Sequence, residues 1–375
     1  MTELTPSSSV VPYQTRRTRF VCISDTHNCT VKLPKGDVLI HCGDLTNKGS
    51  FGELSKQVAW LEKAEFECKL VIGGNHDLTL DSDFFEQHGN FVRYNEPQDP
   101  TLCQAFFTQS ESLTYLQHES RTIKLISPSG PRTIFNVFGS PYTPSCPGQW
   151  AFQYPREETA AEKIWKDIPL DTDILITHGP AHTHRDESRA REAVGCESLR
   201  QAMWRVRPRI ALCGHIHEGR GVERVRWDLS NQFVRYKELQ NTFQWEDPGV
   251  GNEKNSLVDL TAKHGMSLDN DGSKAQITGS STIPMTKATD ADETQASTGT
   301  ASEGANPGIG TRGLSGNPKS ARSDGTALTG RLGRKETCIV NCALQNSSYP
   351  HSGPRTLHKA IVIDIDLPVW DNDDS

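Results

Sequence analysis

The chain has 375 residues and a hydrophobic fraction of 34%, against the about 45–50% of an ordinary globular chain, so part of it is predicted not to pack. Its net charge of −7 provides no basic field for nucleic acid or a membrane surface, and no apolar run reaches the roughly 18 residues of a membrane-spanning helix. The N-terminus lacks the charged-then-apolar order of a signal peptide, and the ten cysteines are scattered without a CxxC pair. These features read as free thiols in a reducing compartment and a cytoplasmic location.

Residues 1–17 are expected to form a disordered tail and 18–245 a core domain. Short apolar runs recur through that core: FVCIS (20–24), VLIH (38–41), KLVIGG (69–74), TIFNVFG (133–139), DILITH (173–178) and RIALCG (209–214). Each has strand length and the Val, Ile and Phe content of a buried strand. Helical patterns lie between some of them. Ser50 to Glu53 fits a capping box, with Leu54, Val58 and Leu61 continuing at helical spacing, and 157–167 and 197–206 read likewise. Strands alternating with helices predict a layered α/β core.

From Glu246 to Ser348 there is no Phe, Trp or Tyr, and 268–333 is dominated by Gly, Ser, Thr, Ala, Asp and Asn. Residues 246–333 are therefore expected to be a low-complexity, largely disordered insertion, a segment able to recruit a protein partner. Beyond it lie two strand-like runs, TCIVNCALQ (337–345) and KAIVIDIDL (359–367), so 334–370 is predicted to complete the core. The last five residues, 371–375, form an acidic tail.

The polar residues at the C-terminal ends of the strand-like runs carry the chemistry. Asp25-Thr26-His27 comes after the first run, Gly43-Asp44 after the second, and Asn75-His76-Asp77 after the third. His178-Gly179 comes after DILIT, and Gly214-His215-Ile216-His217 after RIALC. Carboxylate, carboxamide and imidazole together suit a metal such as Mn, Fe or Zn, whereas oxygen ligands alone would suit Mg. Residues i and i+2 of an extended segment face the same side, so Asp25 with His27, and His215 with His217, are each able to share an ion. Asp25, His27, Asp44, Asn75, His178, His215 and His217 exceed the needs of one ion and fit two divalent ions bridged by one carboxylate. Singly, each residue has a plainer explanation as a turn residue or a satisfied histidine.

The ordered set DxH, GDxxxxG, GNHD, THG and GHxH resembles the calcineurin-like metallophosphoesterase superfamily over about residues 19–220. THGPAHTHRD (177–186), 194–221 and SPYTP (140–144) are similar to its small metallophosphoesterase-domain group of brain-expressed animal proteins. The resemblance implies a four-layer α/β/β/α sandwich and a phosphodiesterase acting on a nucleotide or other small phosphodiester. It further implies that Asp25, His27, Asp44 and His217 hold one metal, while Asp44, Asn75, His178 and His215 hold the other. Mn is the metal it favours, with Fe, Zn or Mg as alternatives. A hydroxide activated by the two ions would attack phosphorus, His76 would protonate the leaving oxygen, and Asp77 would orient His76.

The stretch Gly43-Asp44-Leu45-Thr46-Asn47-Lys48-Gly49 lacks the Arg of the protein phosphatases, which argues against a phosphoprotein substrate. Other readings are a phosphomonoesterase and a nucleotide-binding scaffold with little turnover. His182 and the aromatics Trp150 and Phe152 are candidate substrate contacts, since an aromatic stacks on any base. His184 is expected to face solvent or substrate near the site.

Overall fold

A computed structural model of the chain describes residues 14–228, 238–239, 243, 245–270, 334–346 and 356–370. The first strands are β1 (Thr15–Ile23), β2 (Val38–Cys42), β3 (Cys68–Ile72), β4 (Thr114–Tyr115) and β5 (Glu119–Lys124). Next come β6 (Ile134–Ser140), β7 (Thr143–Pro144), β8 (Gln153–Tyr154), β9 (Ile174–Thr177) and β10 (Ile210–Cys213). The last are β11 (Gly221–Trp227), β12 (Glu238–Leu239), β13 (Ser256–Leu260), β14 (Glu336–Asn341) and β15 (Ile361–Pro368). The helices are α1 (Phe51–Lys63), α2 (Ser82–His88), α3 (Pro100–Thr108), α4 (Glu158–Trp165) and α5 (Glu197–Val206).

Two sheets carry the core. One has the order β13-β15-β1-β2-β3-β4 and the other β12-β11-β14-β10-β9-β6-β5. Alternation along single strands builds the layers. Phe20 and Cys22 of β1 face the opposite sheet, where Phe20 meets Phe135 edge to face at 5.4 Å. Val21 and Ile23, their neighbours, pack with Leu54, Val58 and Leu61 of α1 and with Cys103 and Phe107 of α3. On the other sheet, Leu175 and Ala211 pack against Trp165 of α4 and Leu199, Met203 and Trp204 of α5. The result is an α/β/β/α sandwich whose central strands are buried on both faces, which is why they read as unbroken apolar runs.

Local signals agree with these elements. Ser50 caps α1, and its capping box with Glu53 is formed from both sides. β1, β2 and β3 are parallel, as are β6, β9, β10 and β14, and among them β1, β2, β3, β9 and β10 deliver their C-terminal ends to one edge of the sandwich.

Three sequence expectations are corrected. Residues 15–17, assigned to the tail, extend β1 and pair with Asp366–Pro368 of β15. Their side chains are exposed, so backbone pairing holds them and no apolar signal marks them. Within the supposed insertion, Ser256–Leu260 forms β13, an edge strand parallel to β15 with Val258 and Leu260 buried. Two apolar side chains suffice for an edge strand, which a count of aromatics overlooks. Residues 271–333 and 371–375 lie outside the described residues.

The third correction concerns His184, which is buried rather than presented to solvent or substrate. Its Nδ1 lies 2.8 Å from Glu223 Oε1 of β11, and its Nε2 lies 3.1 Å from Glu238 Oε1 of β12. Arg200 of α5 donates to the same Glu238 oxygen at 2.8 Å. With a carboxylate at each ring nitrogen, His184 is an imidazolium that ties its loop to the sheet edge. Burial opposes that charge, but the hydrogen bonds to Glu223 and Glu238 outweigh it and raise the pKa to about 9. The resulting stability is complete below the unfolded value of about 6.5 and is lost progressively as pH rises through about 9. Urea unfolding of the wild type should therefore show a decline over this window that His184→Gln flattens by about 1–3 kcal/mol. Superimposable profiles would show that this histidine carries no such linkage.

Candidate metal centre

The polar residues at the five strand ends converge. Asp25 lies just after β1, Asp44 after β2, Asn75 after β3, His178 after β9 and His215 after β10. Asp25, His27 and His217 bring ligand atoms within 4.8 Å of one another, as do Asp44, His178 and His215. A third such group, His27, Asp44 and His76, shares His27 with the first and Asp44 with the second. His217 Nε2 stands 3.3 Å from Asp25 Oδ1, and His178 Nε2 stands 3.3 Å from Asp44 Oδ1. Asn75 Oδ1 is 3.0 Å from the same His178 nitrogen, and His27 Nε2 is 3.7 Å from Asp44 Oδ2.

The ring orientations are set by the backbone. His178 Nδ1 donates to the Cys42 carbonyl at 2.7 Å, His27 Nδ1 to Thr46 at 3.1 Å and His76 Nδ1 to Asn47 at 3.0 Å. A carbonyl only accepts, so each Nδ1 carries the proton and, in the neutral ring, each Nε2 presents a lone pair. One stretch, 42–47, thereby sets three imidazoles. At His178 in its neutral form this leaves Nε2 and two oxygens facing one another as acceptors. A cation between them is what that arrangement suits, and carboxylate with imidazole is a donor set for a borderline transition metal.

Electrostatics point the same way. Among the described residues, the basic side chains paired with Asp25 and Asp44 are histidines. Burial lowers His27 to about 4 and His215 to about 3, so both are neutral at physiological pH. Burial also opposes charge on His178, but attraction to Asp44 prevails and raises it to about 9. A metal at that nitrogen therefore competes with a proton.

The backbone is strained where these residues sit. Asp25, His27, Asp44 and His215 have φ of 56°, 43°, 55° and 67°, in the left-handed region that non-glycine residues avoid. Such conformations collect at functional sites, where the surrounding structure imposes them. They also correct the extended-segment explanation of the DxH and HxH pairs. Asp25 and His27 meet because the chain turns, with the amides of both donating to carbonyls of the second loop, Gly43 and Asp44. His217 begins a short 3-10 turn, His217–Gly219, so it diverges from His215 toward the other group. Close approach needs glycine twice. A Cβ on Gly74 would overlap the Asp44 backbone and carboxylate, and one on Gly214 would overlap Ser24 and Asp25.

His76 stands beside the groups, its amide donating to Asp44 Oδ1 at 2.8 Å. Trp150 packs on it with ring centroids 4.2 Å apart, so this aromatic borders the site. Phe152 does not: it is 2% exposed and packs inside the apolar cluster beneath α1 and α3. Its place two residues from a site aromatic suggests a shared orientation, but the left-handed φ of 56° at Phe152 turns it inward. His182 is partly exposed, with Nδ1 3.7 Å from Asp186 Oδ2.

Asp77 is also reassigned. Its carboxylate accepts from the amides of Leu45 at 3.2 Å, Thr46 at 2.9 Å and Gly74 at 2.9 Å, and from the Thr46 hydroxyl at 2.7 Å. It clamps the second loop to the third, and the residue that orients His76 is Asn47, through its carbonyl. Sequence reasoning missed Cys42, Thr46 and Asn47 because a backbone carbonyl leaves no mark in residue identity.

The sequence profile of the calcineurin-like phosphoesterases matches residues 18–219. Over 213 residues the chain is 44% identical to the probable rhamnogalacturonate lyase C of Emericella nidulans, covering 56% of this chain and 18% of that one. It is 40% identical over 213 residues to metallophosphoesterase domain-containing protein 1 of human and mouse, covering 55% of this chain and 62% of theirs. A UPF0046 protein of Caenorhabditis elegans is 36% identical over 220 residues, covering 58% of this chain and 68% of that protein. The chain thus spans less than two thirds of the length of the first two relatives.

Asp77→Ala would leave buried amides at 45, 46 and 74 without their acceptor. It should lower the unfolding free energy by about 3 kcal/mol, read in urea. An unchanged midpoint would show that the clamp contributes nothing.

Proposed function

Because the chain belongs to the calcineurin-like phosphoesterase family, we propose that it hydrolyses a small phosphodiester, a nucleotide among the candidates, at a centre of two divalent cations. The observation that carries this reading is the convergence of two buried carboxylates and four histidines, with ligand atoms close enough to share ions in two adjoining groups. In this reading Asp25, His27, Asp44 and His217 hold one ion. Asp44, Asn75, His178 and His215 would hold the other, Asp44 being common to both sets. Histidine together with carboxylate favours Mn, Fe or Zn over Mg. When bound, two such ions supply Lewis acidity toward the phosphoryl oxygens and lower the pKa of water at the centre.

The chain's own groups do the rest. His76, its Nδ1 committed to the Asn47 carbonyl, offers Nε2 to the leaving oxygen, and protonating that oxygen requires the imidazolium. Trp150 restricts the swing of that ring and lines the approach, and the partly exposed His182 is retained as a candidate substrate contact. Lys48 and Asn47 occupy the loop where a protein phosphatase has arginine, which supports a small substrate over a phosphoprotein. No described helix is long and apolar enough to cross a membrane, and all ten cysteines are free thiols, which supports a reducing, cytoplasmic setting. Recruitment of a protein partner is expected of the insertion 246–333, of which 271–333 lies outside the described residues.

Protein loaded with Mn should hydrolyse bis-p-nitrophenyl phosphate. Asp44→Ala should abolish metal-dependent turnover, and His76→Ala should lower kcat by about 10²–10⁴ while leaving the metal content intact. Turnover in wild type that matches the Asp44→Ala protein would sink the proposal. Elemental analysis of two further variants tests the division of ligands. His215→Gly and His217→Ala should each lose about one of two ions per chain, and two ions retained in either would refute the assignment.

A further inference from the structure

β14 enters the seven-stranded sheet between β10 and β11, and its last residue, Asn341, pairs with Cys213 on one side and Gly221 on the other. Those are the residues between which the chain leaves β10, forms the His215–His217 turn and returns as β11. Asn341 is fully buried beneath that turn. Its carboxamide nitrogen donates to the Ile216 carbonyl at 2.8 Å and the Arg185 carbonyl at 3.0 Å, with the Gly214 carbonyl at 3.4 Å. Its Oδ1 accepts from the Ala343 amide at 3.1 Å. The orientation of the amide is fixed by these partners, since carbonyls only accept and an amide N–H only donates.

The same short segment ties the turn to the other sheet. The Cys342 amide donates to the Cys213 carbonyl at 2.7 Å, and the Leu344 amide donates to the Ser24 carbonyl at 3.0 Å, the residue before Asp25. Ala343 and Ser24 form a parallel bridge. Residues 341–344 therefore connect the strand end that carries Asp25 with the turn that carries His215 and His217. This segment lies beyond residues 18–219, the extent of the family match.

We propose that Asn341 is a positioning residue for both histidines of the 214–217 turn, and that through it β14 sets the spacing of the two metal sites. This rests on the two-metal reading above. Asn341 touches neither ion nor substrate. It holds the carbonyls on either side of His215 and so fixes a left-handed residue (φ 67°) that has no favourable conformation of its own. Outer partners of this kind tune metal affinity by about 10–100-fold.

The test is a titration of the metal-free full chain with Mn alone, followed calorimetrically. Asn341→Ala should weaken Mn binding about 10–100-fold at one or both sites. Thr337→Ala is the control for general damage to the strand. Thr337 lies on β14 as well, and its hydroxyl donates to Pro208 and accepts from Trp227, far from the turn. It should lower the melting temperature and leave Mn affinity unchanged. Gly219→Ala probes the same node without altering β14, because a Cβ there would overlap the Arg185 carbonyl and lie 3.0 Å from Asn341 Nδ2. It should weaken Mn binding in the same direction, and it decides the matter if Asn341→Ala does not fold. Wild-type Mn affinity in a folded Asn341→Ala protein, or in Gly219→Ala, overturns the proposal, as does an equal loss in Thr337→Ala. A wild type that binds no Mn would instead overturn the two-metal reading.

Discussion

The molecule is organised around a buried concentration of acceptors. Asp44 is almost wholly enclosed, as is Asp25, and among the described residues their ion-pair partners are imidazoles rather than arginine or lysine. Taking an unpaired carboxylate out of water costs several kcal/mol even after relaxation. Enclosing two within one site is tolerable only when positive charge is supplied locally. The site does so in part through His178, whose proton Asp44 retains, and its geometry suits divalent ions supplying the remainder.

Much of the surrounding structure answers to that constraint. Left-handed backbone at Asp25, His27, Asp44 and His215 costs roughly 1–2 kcal/mol per residue. The loops do not hold these conformations alone. Asp77 gathers four donors from two loops, and the carbonyls of Cys42, Thr46 and Asn47 each take an imidazole Nδ1. Behind the loops stand strands buried on both faces, which give the loop ends little freedom to relax. A rigid, doubly covered sandwich and a strained polar edge are therefore parts of one arrangement. The apolar layers contribute the free energy that offsets strain at the strand ends.

The protein is also assembled from distant stretches of chain. β14 and β15 come from beyond residue 333, yet β15 lies beside β1 and β14 lies between β10 and β11. Arg19 of β1 makes two 2.7 Å hydrogen bonds to Asp364 of β15, so even the first strand depends on the last for a charge partner. The strands that carry the candidate ligands and their structural supports are thus separate in sequence. A profile of the ligands alone ends before the supports begin.

The clustered polar set was legible in the sequence because metal-capable chemistry lies in particular side chains, and residue identity is what a sequence records. Apolar runs gave the central strands for a related reason: burial on both faces leaves no polar residue to interrupt them. The features that could not be read have a common cause. The roles of Cys42, Thr46 and Asn47 are played by carbonyls, which every residue possesses. The inward turn of Phe152, the capture of His184 by two glutamates and the clamp made by Asp77 depend on which neighbours arrive from elsewhere. The start of β1 owes its place to backbone pairing, which composition does not report, and β13 to pairing with β15 plus two buried apolar side chains, too few to mark a strand. By itself, then, the sequence determined which metal-capable side chains stand at which strand ends. The tertiary structure decided which of them face each other, because left-handed turns and long-range hydrogen bonds, rather than residue spacing, set the directions of those side chains.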